Sequence, residues 1–517
     1  MIRIALLLLL LTAFDVAYAE SDRAIYIIES ALVYDGSDNP PDTKNIGICD
    51  ARICDISKLS HSQINNAMRI DAKGLILSPG FIDPHTHSHS ELKSKDLNSN
   101  LNYLFQGVTT VVNGNDGGGP VDIAEALNGL NQNGIGTNYA FFVGHGSLRE
   151  VVMGTKKRFS TTNELKQMEL LLETAMQQGA LGLSSGLYYV PGSYAETSEV
   201  IALAKVAAKH GGIYDTHLRD ESTFNIGFIP ALQEAIDIAK AANIHLHVAH
   251  IKALGVDVWG QSKQAITLIE KEQEKGTRIT ADQYPWQASG TNIRSALVPK
   301  WAMADSNDAF LARLEDPNLR SKINLQIADN IRRRGGGDRL LITAAKDSSW
   351  EGQTLAQLGQ LWQASEVDSV VKMVKESRRT RVASFNMQDD DIQAFMQKDW
   401  VVTSSDGTNG HPRKYASFPR KYHHYVKELE LISEADFIHR STGKTASILG
   451  IKERGYIKNG YKADIVIFNP STFRGLANFQ NWNTLSQGVE YLFVNGQLAI
   501  DKGKSTGVLA GEYVARK

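Results

Sequence analysis

The chain has little cysteine, little net charge and few long apolar runs. Only two of its 517 residues are cysteine, Cys49 and Cys54, and no nearby histidine or further cysteine completes a metal site around them. The formal net charge is −2, and no basic tract stands out. The near-neutral charge and the lack of a basic tract give no electrostatic reason to expect a nucleic acid or an anionic membrane as a partner.

The single pronounced apolar run lies at the start of the chain. Arg3 precedes an apolar stretch over residues 4–11, and residues 17–19 read Ala-Tyr-Ala before Glu20. This order is typical of a secretory signal peptide. A run of about 11 apolar residues is too short to cross a bilayer, which needs about 20. We therefore predict a signal peptide over residues 1–19 and an exported, periplasmic protein that is soluble once the signal is removed.

The two cysteines lie in a short segment, residues 46–56, that predicts a β-hairpin turning at Asp50 and Ala51. Export makes a disulfide chemically possible. The sequence leaves open whether the hairpin register brings the two thiols together.

The pattern of apolar and polar residues divides the rest of the chain into regions. Residues 20–77 and 451–517 show short alternating apolar runs with turn signals, which predict two parts of one small β-sandwich. Residues 78–450 alternate apolar runs with amphipathic helices, the pattern of a parallel sheet or barrel. Within them, about residues 287–380 are more charged and less regular, and predict a mostly helical insertion beside the site. The length of the chain suffices for such a barrel and a second domain.

One βα unit is clear. Residues 197–210 carry a helical apolar stripe that stops at Gly211 and Gly212, and residues 213–217 then form a strand that ends in His217. Residues 244–250 predict a second strand of this kind, which ends in His250. Alternation places His245 and His247 on the face opposite His250, so we interpret them as packing or surface histidines.

Histidines and carboxylates recur where apolar segments end. Residues 78–87 finish in His85-Thr86-His87, and side chains two apart on a strand point the same way. Barrel enzymes place their chemistry at strand ends. The pattern predicts a metal-dependent hydrolase, and four further candidates follow in chain order: Asp116, His217, His250 and Asp406.

Amide hydrolysis needs a nucleophile, a carbonyl activator and a proton shuttle. A divalent metal lowers the pKa of water to about 7 and polarises a carbonyl, and imidazoles with a carboxylate are suitable ligands for Zn²⁺. Asp406 ends the last predicted strand, between Ser405 and Gly407, and suits the shuttle. The alternative for Asp406 is an Asx turn before Gly407.

Eight segments resemble the amidohydrolase superfamily and, within it, the N-acyl-D-amino-acid deacylases. Together they span about residues 74–470. The segments are residues 80–87, 107–112, 179–187, 216–221, 249–252, 281–285, 405–407 and 411–415.

The resemblance implies a TIM-like (β/α)8 metal-dependent hydrolase barrel with a flanking β-sandwich. It implies that His217 and His250 hold a tightly bound Zn²⁺, that His85 and His87 hold a weaker second ion, and that Asp406 is the general base and acid. The small-molecule substrate would be an N-acyl amino acid or a similar amide. The implied substrate-binding residues are Arg413, Tyr284, Ser289 and Lys252, the last two with weaker support.

One position departs from the family. The usual Gly-Asn-Cys-Gly loop, whose thiolate binds the tight metal, here reads Gly114-Asn115-Asp116-Gly117. A carboxylate still binds metal but is a harder ligand than a thiolate. We expect metal binding to survive with altered preference, including for divalent metals other than zinc.

Other classes of protein share part of this residue pattern. Hydantoinase-like relatives use a carboxylated lysine on the fourth strand, and the candidate fourth strand, residues 180–187, contains no lysine. Mononuclear deaminases share the histidine pattern but not the segments at 216–221 and Arg413. Amidohydrolases that act on dipeptides or cyclic amides, and a non-catalytic binding protein with a degenerate site, complete the alternatives. The acyl group, the stereochemistry and the oligomeric state are not specified by the sequence.

Overall fold

The computed structural model describes residues 25–516. The predicted signal peptide, residues 1–19, lies outside the described residues. Within the described part of the chain, no helix is long and apolar enough to cross a membrane.

Both ends of the described chain build one nine-stranded sheet beside the central domain. The ends join where Ile465–Phe468 pairs antiparallel with Ile76–Pro79. The sheet strands are Ile25–Val33, Asp42–Cys49, Arg52–Cys54, Met68–Asp71, Ile76–Pro79, Ile465–Phe468, Val489–Val494, Gln497–Asp501 and Lys504–Ser505. A flanking sheet domain made from both ends was predicted, and the structure shows its strands in a single hydrogen-bonded sheet.

This sheet has its own apolar core, in which Ile48, Ile467 and Phe493 are fully buried. The predicted hairpin is present, with Cys49 opposite Arg52. The cysteines that flank its turn form a disulfide, with their Cα atoms 5.7 Å apart. The question left open by the sequence is thereby answered.

The central domain is a parallel barrel, as predicted. Its strands are, in order, Phe81–Asp83, Val108–Asn113, Asn138–Phe141 continued by Val143–Gly144, Gly182–Gly186, Ile213–His217, His245–Val248, Ile279–Gln283 and Val401–Thr403. A parallel bridge between Thr86 and Gly407 closes the eighth strand onto the first. The Ser405 amide also donates to the Asp83 carboxylate across this seam, at 3.1 Å.

Helices follow the strands and cover the barrel. Thr162–Gln177 begins with a capping box in which the Thr161 hydroxyl and the Glu164 side chain each accept a backbone N–H. The barrel helices are His89–Leu92, Leu101–Leu104, Ile123–Asn131, His145–Met153, Thr162–Gln177, Thr197–Lys209, Phe228–Ala242, Ser262–Glu274, Asp389–Met396, Arg413–Arg420, Glu434–Ser441 and Gly443–Leu449. A π-helical segment, Lys421–Glu428, continues the helix at Arg413–Arg420, and His61–Asn66 belongs to the flanking sheet.

The insertion after the seventh strand contains several helices and a three-stranded antiparallel sheet. Strands that pair across dozens of intervening residues carry no local signal of pairing, so the sequence did not reveal this sheet. Its strands are Ser289–Asn292, Leu340–Ala344 and Arg381–Ser384, and its helices are Ile293–Leu297, Asn307–Glu315, Pro317–Arg333, Leu355–Leu361 and Glu366–Glu376.

The C-terminal residues leave the flanking sheet and return to the barrel. The Gly511 amide donates to the Ile135 carbonyl, and Tyr513 bridges to Tyr139. The last strand of the flanking sheet ends at Ser505, within residues 451–517, which the sequence predicted as the second sheet region. The last residues pack against barrel strand three instead, through main-chain hydrogen bonds.

Candidate active site

Six candidate residues from five separated segments meet at the carboxyl ends of the barrel strands. His85 and His87 follow the first strand, and Asp116 follows the second. His217 is the last residue of the fifth strand, and His250 lies two residues beyond the sixth. Asp406 follows the eighth. The carboxyl end of a parallel barrel is where side chains of different strands converge, and here they do so.

The loop that carries Asp116 passes very close to neighbouring strands. Gly114 has φ +91° and Gly117 has φ +74°, and a Cβ at Gly114 would lie 2.3 Å from the Phe142 carbonyl oxygen. Any side chain there would collide with the backbone of the third strand. These glycines let the loop fold over the strand end and turn the Asp116 carboxylate inward.

Three site residues have left-handed backbone conformations: Asp116 (φ +57°), His250 (φ +35°) and Asp406 (φ +45°). Residues other than glycine pay a conformational cost for such angles, which persist where the surrounding structure imposes them. The barrel therefore holds these donors in place at some expense in backbone energy.

Asp116 lies between two groups of donors. Its Oδ1 atom is 3.1 Å from His250 Nε2 and 3.6 Å from His217 Nδ1. Its Oδ2 atom is 3.4 Å from His87 Nε2, and Oδ1 is 3.5 Å from His85 Nε2. The first group comprises Asp116, His217 and His250; the second comprises His85, His87, Asp116 and Asp406, and within each group the donor atoms lie within 4.8 Å of one another.

The donor set fits a divalent cation. The ring nitrogens His217 Nδ1 and His250 Nε2 face each other at 2.9 Å, and both also face the Asp116 carboxylate. Neither ring nitrogen of the fully buried His85 has a hydrogen-bond partner among residues 25–516. Buried polar atoms are normally satisfied, so these converging lone pairs indicate a site built for a positive ion. Two imidazoles and a carboxylate are a suitable ligand set for Zn²⁺.

The electrostatic field of the site favours positive charge. Burial alone would disfavour a charged His85, but the carboxylates of Asp116 and Asp282 outweigh it and raise the pKa of His85 well above its usual value. Burial likewise opposes ionisation of Asp116, and His250 and His85 still hold its pKa well below the usual range. The same field would retain a metal cation.

A second ring of side chains holds the histidine donors. The Lys252 ammonium lies 2.7 Å from both the Glu221 carboxylate and His250 Nδ1, and it also donates to the His250 carbonyl. The Asp282 carboxylate accepts from the His250 amide at 3.1 Å and lies 3.1 Å from His247 Nε2. Such outer partners orient metal-binding imidazoles in proteins.

Asp406 connects the donors to a buried arginine. Its Oδ1 atom is 3.2 Å from His87 Nε2, and its Oδ2 atom is 2.7 Å from Arg413 Nη1. Burial raises the pKa of this carboxyl, but the Arg413 guanidinium and the neighbouring histidines outweigh burial and lower it below the usual range. The Arg413 guanidinium also stacks over the Tyr284 ring, 4.5 Å from its centroid. The lowered pKa favours the ionised form of Asp406, whose carboxylate lies between His87 and Arg413.

The site opens into a cavity of about 500 Å³. Its wall is shared between the barrel, which contributes His87, His217, His250 and Asp406, and the insertion. The insertion residues in the wall are Ser289, Gly290, Thr291, Asn292, Arg334 and Arg381.

The predicted site residues thus lie together, with two qualifications. All except His85, which is buried beneath the site, line the cavity. Lys252 lines the cavity and also contacts Glu221 and His250, so its ammonium group is shared with a donor histidine. The Ser289 hydroxyl lies 3.1 Å from the Asn386 side-chain oxygen.

His245 and His247 are packing residues, but not on the face that alternation predicted. His247 points into the barrel toward Asp282, and both rings lie within hydrogen-bond distance of Thr280 Oγ1. The strand ends at Val248, so alternation does not extend to His250. The odd and even positions of the strand therefore do not predict on which side of it the His250 side chain lies.

Four residues of this region were not predicted: Glu221, Asp282, Arg381, and Asp215, whose carboxylate lies within 4.8 Å of donor atoms of His85 and Asp282. Glu221 and Asp282 lie within the segments that carried the family resemblance, and their acidic side chains beside predicted donors were an available signal. Arg381 belongs to the charged insertion, where no local pattern marks it.

Comparisons with known proteins agree with this geometry. Residues 362–500 match the family model described as "Amidohydrolase family". A D-aminoacylase and an N-acyl-D-aspartate deacylase, both from Alcaligenes xylosoxydans xylosoxydans, are each 29% identical to the chain over 95% of its length, and cover 97% and 94% of their own lengths.

Solved structures of similar proteins share the whole fold. A D-aminoacylase crystal structure superposes with a TM-score of 0.80 at 28% identity, over 95% of this chain and 99% of that one. An N-acyl-D-glutamate deacylase from Bordetella bronchiseptica, complexed with zinc and a phosphonate inhibitor, gives 0.81 at 25% identity, over 96% and 100%. A D-hydantoinase gives 0.56 at 15% identity, a likeness of fold alone.

These relatives include metal-containing enzymes: D-aminoacylase has been described with a binuclear metal centre, and the glutamate deacylase binds zinc. The fold of the present chain accords with theirs over nearly its whole length. The chain is homologous over nearly its whole length to D-aminoacylase and the N-acyl-D-amino-acid deacylases, and residues 362–500 carry the match to the amidohydrolase family model.

Proposed function

We propose that the protein hydrolyses the amide bond of N-acyl-D-amino acids with a divalent metal, Zn²⁺ in the first instance. The observation that carries this proposal is the position of Asp406. One of its oxygens faces the His87 donor and the other is paired with Arg413. A proton-transfer group thus lies between the metal donors and a cation suited to a substrate carboxylate.

In the proposed site, His217, His250 and Asp116 hold the tight metal. His85 and His87 would hold a weaker second ion, and Asp116 lies within reach of both groups of donors. A bound divalent ion supplies acidified water and a polarised carbonyl. Because Asp116 offers oxygen where the family resemblance implies a thiolate, oxygen-preferring divalent ions would compete better here with zinc.

Asp406 serves as the general base and acid. Its Oδ1 atom faces the donors and accepts the proton of the attacking water, then returns it to the departing amine nitrogen. Its low pKa keeps the carboxylate ionised before the reaction. Arg413 keeps the carboxylate oriented through the 2.7 Å ion pair.

Arg413 and Tyr284 position the α-carboxylate of the substrate. The Arg413 guanidinium is 1% exposed, and its Nε atom has no hydrogen-bond partner among the described residues. A guanidinium fork pairs well with carboxylate. Ser289 offers a hydroxyl in the same wall, and Lys252 contributes indirectly by holding His250.

We also propose that the protein is exported to the periplasm. The disulfide between Cys49 and Cys54 is consistent with an oxidising compartment. Cell fractionation of the full chain, with the N-terminus of the mature protein sequenced, tests this. Recovery of uncleaved protein in the cytoplasm contradicts export.

The test of the activity is amine release from matched N-acetyl-D and N-acetyl-L amino acids by zinc-loaded mature protein. Selective cleavage of the D series supports the proposal. If metal-loaded protein cleaves neither series, the proposed deacylase activity is wrong, and dipeptides and cyclic amides become the next substrates to assay.

A further inference from the structure

Four cationic side chains, apart from histidines, line the catalytic cavity: Lys252, Arg334, Arg381 and Arg413. A cation in such a wall can pair with other side chains of the protein, be available to a ligand, or do both. The hydrogen bonds and ion pairs of each side chain distinguish these cases.

Three of the four have partners within the protein, although Arg413 keeps its Nε atom without a hydrogen-bond partner among the described residues. Lys252 pairs with Glu221, and Arg413 pairs with Asp406, both at 2.7 Å. Arg334 donates to the Ala296 carbonyl and the Ser384 hydroxyl, each at 3.2 Å, and to the Tyr188 hydroxyl.

Arg381 differs from the others. Its guanidinium makes no hydrogen bond or ion pair with any residue between 25 and 516 that the structure describes, although the residue is only partly exposed. It begins the insertion strand Arg381–Ser384, opposite Asn292, another residue of the cavity wall.

The electrostatic surroundings place Arg381 beside the reaction centre. Burial lowers its pKa and the positive charge of Arg413 lowers it further, while Tyr189 and Asp406 act in the opposite direction. Arg413 and Asp406 thus lie within electrostatic range of this guanidinium. Asp406 is already engaged by Arg413, so it does not neutralise Arg381.

A partly desolvated guanidinium without an acidic partner is costly, and a ligand anion would relieve that cost. The fork geometry of arginine suits a carboxylate, which it binds through two parallel N–H donors. Arg413 is already assigned to the α-carboxylate in the proposed function. The cavity therefore has one guanidinium more than a monocarboxylate substrate requires.

We propose that Arg381 is a specificity-determining residue that binds a second anionic group of the substrate. The preferred substrates are accordingly N-acyl-D-amino acids with two carboxylates. The second carboxylate comes either from an acidic side chain or from the far end of a dicarboxylic acyl group. This inference rests on the proposed function and names its substrate class.

The test compares matched acidic and neutral substrates on the metal-loaded enzyme. N-acetyl-D-glutamate against N-acetyl-D-glutamine probes the side chain, and N-succinyl-D-leucine against N-butanoyl-D-leucine probes the acyl group. We expect kcat/KM to favour the acidic member of one pair by roughly 10- to 100-fold, the size of one charge-assisted interaction. The pair that shows the preference identifies the source of the anion.

Variants assign that preference to Arg381. Arg381→Met is expected to abolish the preference by lowering kcat/KM for the acidic substrate, with the neutral substrate changed by about 2-fold at most. Arg379→Met removes an exposed arginine two residues away and is expected to retain the preference. Arg381→Lys keeps the positive charge but lacks the two parallel N–H donors of the guanidinium, so it should retain part of the preference for the acidic substrate. If Arg381→Met does not fold, the Arg381→Lys variant tests the role of Arg381.

Equal cleavage of acidic and neutral substrates by the wild type, or a preference that survives in both Arg381 variants, overturns this inference alone. If neither N-acyl-D substrate is cleaved, the proposed function fails. Calorimetric binding of N-acetyl-D-glutamate and N-acetyl-D-glutamine then still tests Arg381, since tighter binding of the glutamate that disappears in Arg381→Met supports its role. Equal binding of the two ligands contradicts it.

Discussion

The two halves of the catalytic cavity differ in how they are built. The barrel half comes from strand ends, and its side chains are tied together: Asp116 contacts four histidines and Asp406 is paired with Arg413. The insertion half comes from an antiparallel sheet, and it includes Arg381, which has no partner among the described residues. The barrel half thus has the features of a chemical centre, and the insertion half those of a surface that discriminates between substrates.

The largest effect is expected at the barrel half. Asp406→Asn keeps the shape of the side chain but removes the proton acceptor, so kcat should fall by about 1,000-fold. Steady-state kinetics with metal analysis of the purified variant checks this. Asp501→Asn in the flanking sheet is the matched control, and it should keep wild-type kcat. If Asp406→Asn retained wild-type turnover, Asp406 would not be the proton shuttle.

At the border between the halves, Arg413 contacts Asp406 and the Gly290 carbonyl of the insertion. Arg413→Met should reduce kcat/KM by roughly 100-fold for an N-acyl-D-amino acid, because a charge-assisted pair with the substrate carboxylate is lost. The corresponding C-terminal amide of the substrate, which lacks that carboxylate, provides the comparison. A loss of equal size on the amide would assign Arg413 to the orientation of Asp406 alone.

A smaller effect is expected in the ring behind the histidines. Glu221→Gln removes the carboxylate that pairs with Lys252 and faces His250, so metal affinity should fall by about 10-fold. A chelator competition titration measures this. Glu274→Gln, on an exposed helix end, should leave metal affinity unchanged. An unaltered affinity in Glu221→Gln would mean that the histidines need no such support.

The flanking sheet should influence stability and not catalysis. Replacing Cys49 and Cys54 together with serine removes a short covalent loop and should lower the free energy of unfolding by about 2 kcal/mol. Denaturant unfolding measures this change, and kcat/KM should match the wild type. A loss of activity in the folded variant would show that the flanking sheet affects the cavity.

The comparison of the two halves also explains what the sequence could reveal. The barrel-half donors were predictable because each follows an apolar strand within a few residues, so local pattern and strand-end convergence suffice. His217 and the strand Ile213–His217 illustrate this, since the predicted strand and the observed one coincide.

The insertion half was not predictable in the same way. The strands Ser289–Asn292 and Arg381–Ser384 pair across about ninety intervening residues, and nothing in their local sequence specifies that register. Whether a cation such as Arg381 has a partner depends on that tertiary arrangement. The same limit applies to His250, whose left-handed backbone breaks the strand alternation on which the prediction relied.

The most direct test of the central claim is a metal reconstitution experiment on the wild-type protein. The chelated protein is titrated with Zn²⁺ while amine release from an N-acetyl-D-amino acid and the bound metal are measured in the same samples. We predict no activity without metal and full recovery as the site fills. Undiminished activity in protein shown by atomic spectroscopy to contain no metal would contradict the account.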